Sequence, residues 1–268
     1  MSEGLGSLVE RVAAIAQAAG REILEVYAQG ESARTLKEDD SPLTAADLRS
    51  HRLIVAALAA LTPGVPVLSE EAARPPYHER ARWPRHWLVD PLDGTREFLS
   101  RNGEFTVNIA LIEGHAPVLG VVHVPVRDTT YRGIPGEGAW RQVGSAPAQA
   151  VHAAARAADP VRVVGSRSHR GDSLEGFLAR LGPHELRAVG SSLKFCLIAE
   201  GAADVYPRLG PTSEWDTAAA HAVVTAAGGT VVALDGQPLR YNEREALLNP
   251  FFVAYGDRRR DWLALLRT

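Results

Sequence analysis

The sequence predicts a mixed α/β fold in which an α+β first half packs against a layered α/β second half. Helical periodicity near the amino end and adjacent strand-like runs between residues 105 and 143 indicate the α+β half. Beyond residue 160, short apolar runs alternate with helical segments, which favours layered α/β structure. The alanine-rich, weakly patterned stretch 145–159 separates the two patterns. We therefore expect two domains, residues 1–150 and residues 151–268.

The helices of the first half are predicted from spacing and caps. Apolar residues over 5–23 recur at helical intervals, which indicates an amphipathic first helix. A second helix is expected over residues 45–61, with Thr44 as its cap and Pro63-Gly64 closing it.

The strands are predicted from short apolar runs. In the first half these runs are 65–68, 87–89, 105–112, 118–124, 129–134 and 139–143. Glu113-Gly114-His115 indicates a hairpin turn between two of them. In the second half we expect strands at 161–164, 186–189, 204–206 and 230–233, with helices at 174–181, 192–200 and 215–227.

The composition indicates a globular protein and argues against several other classes of protein. With 46% hydrophobic residues, a chain of 268 residues can bury a sizeable core. The 29 basic and 32 acidic residues give a net charge of −3, which argues against a nucleic-acid polymer or a membrane surface as partner. The single cysteine, Cys196, excludes an intrachain disulfide and is expected to fill apolar space. Residues 1–4 show no basic leader, so we expect a cytoplasmic protein without a transmembrane segment.

The segment Asp90-Pro91-Leu92-Asp93-Gly94-Thr95 is the most informative in the chain. It places two carboxylates, a backbone carbonyl and a hydroxyl directly behind an apolar run. Hard cations such as Mg²⁺ favour oxygen ligands of this kind. If a helix opens at Thr95, its free amides would also hold a phosphate. The alternative is a strand-to-helix connection in which Asp93 only caps the helix.

Four further motifs carry groups suited to the same chemistry. They are Asp47, the pair Glu70-Glu71 after a strand, Gly190-Ser191-Ser192-Leu193-Lys194 at a helix start, and Trp215-Asp216 at another helix start. Each of them has a structural alternative, which for two of them is a helix cap. Asp47 lies three residues after Thr44, and Asp216 three residues after Ser213, and this is the spacing of a capping box.

Taken in order, these motifs resemble the magnesium-dependent, lithium-sensitive phosphatases of the inositol monophosphatase superfamily. The resemblance rests on Asp47, Glu70-Glu71, the segment 90–95, and Trp215-Asp216 followed by Gly228-Gly229. It implies a layered αβαβα sandwich. Within the superfamily, stretches 66–71, 101–112 and 190–197 resemble the bacterial bisphosphate nucleotidases. That branch hydrolyses adenosine 3',5'-bisphosphate (PAP) to AMP and phosphate, recycling a by-product of sulfate assimilation. The sulfated nucleotide PAPS, which would give APS, is a second expected substrate.

The resemblance also implies a metal site in the first domain, which the second domain would complete. Glu70, Asp90 and the carbonyl of Leu92 would hold one Mg²⁺. Asp90, Asp93 and Asp216 would hold a second, with Asp90 bridging the two ions. A third ion near Glu70 is compatible with the pattern.

The implied catalytic set is Asp47, Thr95 and Glu70. Asp47 and Thr95 would orient the attacking water and accept its proton, and the amides of Gly94 and Thr95 would hold the scissile phosphate. The residues expected to contact substrate are Glu70, Leu92, Asp93, Gly94, Thr95, Ser191, Ser192, Lys194, Arg208, Asp216, Ser168 and His169.

A bisphosphorylated nucleotide carries a second phosphate that needs its own cationic partners. Lys194 is the first candidate, with a solvated surface lysine as the alternative. Arg208 and the stretch that includes Ser168 and His169 are further candidates.

Three questions stay open at the level of sequence. The same metal core would serve an inositol-1-phosphate or fructose-1,6-bisphosphate phosphatase, and a non-catalytic sensor of a phosphorylated ligand is an alternative of another class. The oligomeric state is expected to be a monomer or a homodimer. Resemblance alone suggests peripheral association with the cytoplasmic side of the inner membrane.

Overall fold

Two β-sheets and the helices around them form the framework of the chain. The computed structural model describes residues 4–30, 35–36, 42–166 and 172–266. The helices are α1 (Leu5–Ala28), α2 (Ala45–Leu61), α3 (Tyr77–Arg80), α4 (Thr95–Leu99), α5 (Asp172–Leu181), α6 (Leu193–Ala199) and α7 (Glu214–Ala226). The strands are β1 (Thr35–Leu36), β2 (Pro42–Leu43), β3 (Val67–Ser69), β4 (Arg85–Asp93), β5 (Thr106–Glu113), β6 (Ala116–Val124), β7 (Thr129–Ile134), β8 (Gly138–Val143), β9 (Gln149–Ala150), β10 (Val161–Ser166), β11 (His184–Val189), β12 (Val205–Arg208), β13 (Thr230–Ala233) and β14 (Phe252–Tyr255).

The larger sheet is buried on both faces. Its described strands follow the order β3-β4-β5-β6-β7-β8-β9, with β3 and β4 parallel and the other neighbours antiparallel. Because side chains alternate along a strand, Trp87 and Ile109 pack with the apolar residues of α1 and α2. Leu88 and Ala110 point the other way, into a core that includes α6 and α7.

Two glycines allow α7 to lie directly on this sheet. A Cβ atom at Gly120 would come within 2.0 Å of the Ala219 carbonyl oxygen, and one at Gly133 within 2.6 Å of the Val223 Cα. No side chain fits at those distances. The close approach fixes α7, and with it the residues at its amino end, relative to the larger sheet.

The smaller sheet completes the layers. Its described order is β11-β10-β12-β14-β13, with β10 parallel to β11 and β12, and β14 antiparallel to β12 and β13. One face packs on α6 and α7, while α5 covers the other through Leu174 and Phe177. The result is the predicted αβαβα sandwich.

The structure differs from the sequence prediction in several elements, and the short strands β1, β2 and β9 and the helix α3 are among those not predicted. The strand expected to end at Val89 continues as β4 to Asp93, with an irregular register between Asp90 and Asp93. The strand β14 was not predicted either, although it lies within the apolar run 251–255. Cys196 is fully buried, as expected for an apolar role.

The predicted boundary near residue 150 falls between β9 and β10. The division into domains 1–150 and 151–268 stays a prediction. None of the helices in the described ranges has the length and apolar character needed to cross a bilayer.

Candidate active site

Three carboxylates converge where β4 ends and α7 begins. One oxygen each from Asp90, Asp93 and Asp216 lies within 4.8 Å of the others. The irregularity in β4 brings Asp90 and Asp93 together, because residues three apart on a regular strand would point to opposite faces. The third comes from the first turn of α7.

Burial and mutual repulsion disfavour the charged form of this cluster. Burial raises the pKa of Asp90 well above its usual value, and Glu70, Asp93 and Asp216 raise it further. A hydrogen bond with Glu70 adds to this rise and places Glu70 beside Asp90. Burial also raises the pKa of Asp216 to about 7, with Asp93 and Glu70 contributing. A divalent cation would offset this repulsion, and an all-oxygen ligand set fits Mg²⁺.

Local hydrogen bonds shape the turn that carries Asp90. Its Oδ1 accepts from the Leu92 amide at 3.0 Å, and the Ser50 hydroxyl donates to the Pro91 carbonyl at 2.7 Å. Leu92 therefore lies inside the loop around the carboxylates. Its role as a carbonyl ligand stays a prediction.

Asp93 is held by groups from both halves of the chain. Its Oδ2 accepts from the Ser192 amide at 2.6 Å, from Asn108 Nδ2 at 3.3 Å and from the Thr106 hydroxyl at 3.4 Å. The residue that caps α4 is Gly94, and no side chain caps that helix. The alternative in which Asp93 only caps α4 is therefore wrong.

Asp47 acts as a helix cap and also faces the site. Its Oδ2 accepts from the Thr44 amide at 2.8 Å and from the Thr44 hydroxyl at 2.6 Å, which confirms the capping box. The second oxygen, Oδ1, is 3.5 Å from the Thr95 hydroxyl that donates to it. The cap thus fixes the side chain while leaving one oxygen directed at Thr95.

Asp216 shows the same double use. Its Oδ2 accepts from the Ser213 amide at 2.9 Å and from the Thr212 hydroxyl at 2.6 Å. The second capping box is therefore confirmed as well. Asp47 and Asp216 therefore both cap a helix, as the structural alternative predicted. Each uses only one carboxylate oxygen for the capping hydrogen bonds, so the cap itself leaves the other oxygen available for a role in the site.

A cavity of about 270 Å³ adjoins the carboxylates. The predicted site residues that line it are Asp93, Gly94, Thr95, Ser191, Ser192, Lys194, Arg208 and Asp216. Ser166, the last described residue of β10, lines it too. The predicted contacts Ser168 and His169 lie outside the described residues.

Lys194 is buried, with 5% of its surface exposed, so the alternative of a surface lysine is wrong. Its Nζ donates to the Ser191 carbonyl at 2.6 Å and to the Val189 carbonyl at 3.3 Å. Burial lowers the pKa of Lys194 to about 8, although nearby carboxylates such as Asp93 oppose the shift. A pKa of about 8 leaves most of this amine charged at pH 7.

Sequence reasoning missed the polar groups that orient the carboxylates. Asn108 Nδ2 also donates to the Ser192 hydroxyl at 2.9 Å, and that hydroxyl donates to the Asp216 carbonyl. Thr106 and Asn108 are polar at alternate positions of the strand β5, whose other residues before Glu113 are apolar. That spacing places both on one face and is the signal that could have identified them.

The five-layer fold and the acidic cleft are those of a phosphatase that works with a divalent cation. Residues 7–262 match the model of the Inositol monophosphatase family, and the chain belongs to this family.

Individual relatives support the assignment. The chain is 51% identical over 248 residues to a 3'(2'),5'-bisphosphate nucleotidase CysQ of Salmonella typhimurium, covering 91% of this chain and 98% of that protein. It is 49% identical over 246 residues to the CysQ nucleotidase of Escherichia coli K12, with the same coverage. The crystal structure of CysQ from Bacteroides thetaiotaomicron aligns with a TM-score of 0.81 at 44% identity, covering 94% of this chain and 98% of that chain.

Proposed function

We propose that this chain is a magnesium-dependent 3'(2'),5'-bisphosphate nucleotidase that hydrolyses adenosine 3',5'-bisphosphate to AMP and phosphate. The observation that carries the proposal is a single cavity that joins a cluster of carboxylates to cationic side chains that include Lys194 and Arg208. The carboxylates can bind the reacting phosphate through a cation that they hold. The cationic side chains can form ion pairs with the second phosphate. The names of the most similar curated relatives agree with this substrate.

The ligand set we propose for Mg²⁺ is Glu70, Asp90, Asp93 and Asp216 together with the carbonyl of Leu92. Bound there, Mg²⁺ would supply Lewis-acid chemistry by lowering the pKa of a water and neutralising charge on the leaving oxygen. The chain itself contributes the fixed positions of these oxygens, through the caps and hydrogen bonds around Asp90, Asp93 and Asp216.

Thr95 and Asp47 are suited to direct a water molecule. The Thr95 hydroxyl donates to Asp47 Oδ1, so its own lone pairs stay available to accept a hydrogen bond from water. A proton leaving the water can then pass through the hydroxyl to the Asp47 carboxylate. The amides of Gly94 and Thr95 would hold the scissile phosphate beside it.

Lys194 and Arg208 would bind the phosphate that is not cleaved. Lys194 keeps its amine in the cavity by donating to two backbone carbonyls, which leaves a third hydrogen for a phosphate oxygen. Arg208 Nη2 donates to the Pro211 carbonyl, so the guanidinium is anchored at one end. Ser191 and Ser192 line the same cavity and can donate hydroxyl hydrogen bonds.

Several finer points belong to the same proposal. We propose two Mg²⁺ ions per chain with a third near Glu70, PAPS as a second substrate, inhibition by lithium, and a cytoplasmic protein that is a monomer or a homodimer.

The proposal is tested by measuring phosphate release from adenosine 3',5'-bisphosphate with Mg²⁺ and with excess chelator, and by separating the nucleoside product. We expect release of one phosphate, formation of AMP, and loss of activity in chelator. Activity undiminished by chelator would remove the metal mechanism. Tight binding of the nucleotide without any turnover would instead establish the sensor alternative.

A further inference from the structure

We propose that Arg80 is a positioning residue for the Asp216 carboxylate, acting through the loop of residues 242–249. Arg80 lies outside the cavity and is not among the residues predicted from the sequence. The inference rests on the proposed function in one respect, because it takes Asp216 as a metal ligand.

Arg80 anchors the first part of this loop. The side chain is 2% exposed at the end of α3. Its Nη1 donates to Asn242 Oδ1, and its Nη2 donates to the carbonyls of Arg244 and Glu245. Asn242 Nδ2 returns a hydrogen bond to the Arg80 carbonyl at 2.7 Å. One planar guanidinium thus fixes three loop residues, a task that the point charge of a lysine does not perform.

The anchored loop holds the first turn of α7. The Asn242 amide donates to Glu214 Oε2 at 2.7 Å, and the Glu214 amide donates to the Leu247 carbonyl at 2.8 Å. At the far end of the loop, Asn249 Nδ2 donates to the Ser213 carbonyl at 2.8 Å. The loop therefore contacts the two residues directly before Trp215 and Asp216.

The same backbone sets the direction of Asp216. Its Oδ2 accepts from the Ser213 amide and the Thr212 hydroxyl, while the Asn249 amide donates to the Thr212 carbonyl at 2.9 Å. A shift of the loop would move residues 212–213 and turn the carboxylate with them. Partners that orient a ligand in this way typically change metal affinity by about 10- to 100-fold when removed.

The positive charge of Arg80 lies in the same buried region as the carboxylate of Glu214. Glu214 is fully buried, and its Oε1 lacks a hydrogen-bond partner among the described residues, as does Arg80 Nε. A buried carboxylate without a nearby cation is costly, so Arg80 compensates the charge that the loop brings to α7. Loss of Arg80 alone would remove part of the positive charge that favours ionised Glu214, to which Arg244 also contributes, and the variants are chosen to avoid that.

The first variant is Asn242→Gly. Asn242 has a φ of +54°, which glycine tolerates, and the backbone amide that donates to Glu214 is retained. Only the two side-chain hydrogen bonds with Arg80 are lost. The second variant combines Arg80→Met with Glu214→Gln, which removes both buried charges together.

The control is Arg162→Met in the smaller sheet. Arg162 also makes several hydrogen bonds to one buried partner, the carboxylate of Asp204. This variant should lower thermal stability without changing metal binding, because the side-chain hydrogen bonds of Arg162 within the described residues go to Asp204 and not to α7 or the loop 242–249.

We measure the affinity of the full chain for Mn²⁺, with electron paramagnetic resonance as the detection method. Mn²⁺ takes oxygen ligands as Mg²⁺ does. Amide hydrogen exchange over residues 212–217 is measured on the same samples without metal. Both test variants should bind Mn²⁺ about 10- to 100-fold more weakly and exchange faster over 212–217. Wild-type affinity and wild-type exchange in folded Asn242→Gly would overturn the proposal, even if its melting temperature falls. Failure of the wild type to hydrolyse the bisphosphate would defeat only the proposed function, since metal binding and exchange are measured without substrate.

Discussion

The backbone amide of Ser192 donates a 2.6 Å hydrogen bond to Oδ2 of Asp93, a residue 99 positions earlier in the chain. Asp93 ends a strand of the larger sheet, and Ser192 precedes the helix α6 that packs between the sheets. The carboxylate cluster is therefore set only when the two halves of the chain are folded together.

Replacing Asp93 by asparagine tests its role as a metal ligand. The amide oxygen can still accept from Ser192, so we expect an intact fold with little change in melting temperature. Loss of the negative charge should lower kcat with adenosine 3',5'-bisphosphate by at least about 100-fold, the upper end of the effect of groups that only orient a ligand.

The matched control is Asp128→Asn, an exposed aspartate in a left-handed turn that asparagine also adopts. It should keep full activity. Wild-type turnover in Asp93→Asn would refute the assignment of Asp93 to the metal site.

Lys194→Met separates binding of the second phosphate from the chemical step. The variant keeps the volume of the buried side chain and removes its charge. We expect KM for adenosine 3',5'-bisphosphate to rise about 10- to 100-fold, which corresponds to one charged hydrogen bond of about 1.5–3 kcal/mol. Hydrolysis of p-nitrophenyl phosphate, which has a single phosphate, should change by less than about threefold. Equal losses on both substrates would show that Lys194 is only structural.

The Thr95 hydroxyl is expected to matter through its hydrogen bond to Asp47. Thr95→Val keeps the shape and removes the hydroxyl, so kcat should fall by about 10²- to 10⁴-fold, the usual contribution of a positioned proton acceptor. Thr95→Ser restores the hydroxyl and should recover most of the activity. A valine variant as active as the serine variant would exclude Thr95 from handling the water.

The buried histidine His123 predicts a pH dependence of stability. Burial lowers its pKa from 6.5 to about 4, while Asp128 opposes part of the shift. Between pH 4 and pH 6.5, His123 is therefore protonated in the unfolded chain and neutral in the folded chain. The stability contributed by neutral His123 is complete above pH 6.5 and is lost as the pH falls towards 4.

Urea unfolding of the wild type and of His123→Asn measures this effect, because asparagine can keep the contact with the Thr130 hydroxyl. Between pH 6 and 4.5, the free energy of unfolding should fall more steeply in the wild type, by about 1.4 kcal/mol per pH unit. Parallel pH curves for the two proteins would contradict the prediction.

The sequence predicted the parts of the site that depend on local order. Asp90, Asp93 and Thr95 lie within six residues, and the caps of α2 and α7 depend on residues three apart. The strand β4 continues past Val89 because long-range pairing with β5 outweighs the turn tendency of Pro91.

Burial of Lys194 could not be predicted from the pattern of its helix. A lysine on a short helix normally marks a solvated face. Every residue of α6 is buried, because the helix lies between two sheets that come from distant parts of the chain. The contacts of Asn108 and Ser192 with the carboxylates depend on the same packing, and the spacing of Thr106 and Asn108 predicts only that these two side chains share one face of β5.

The central claim is the identity of the substrate, and it is tested most directly by kcat/KM for adenosine 3',5'-bisphosphate, inositol 1-phosphate and fructose 1,6-bisphosphate at saturating Mg²⁺. Because inositol 1-phosphate lacks a second phosphate, the Lys194 and Arg208 side of the cavity predicts a preference for the nucleotide over inositol 1-phosphate of at least about 10-fold, the value of one charged hydrogen bond. A higher kcat/KM for either of the other two phosphates would contradict the account.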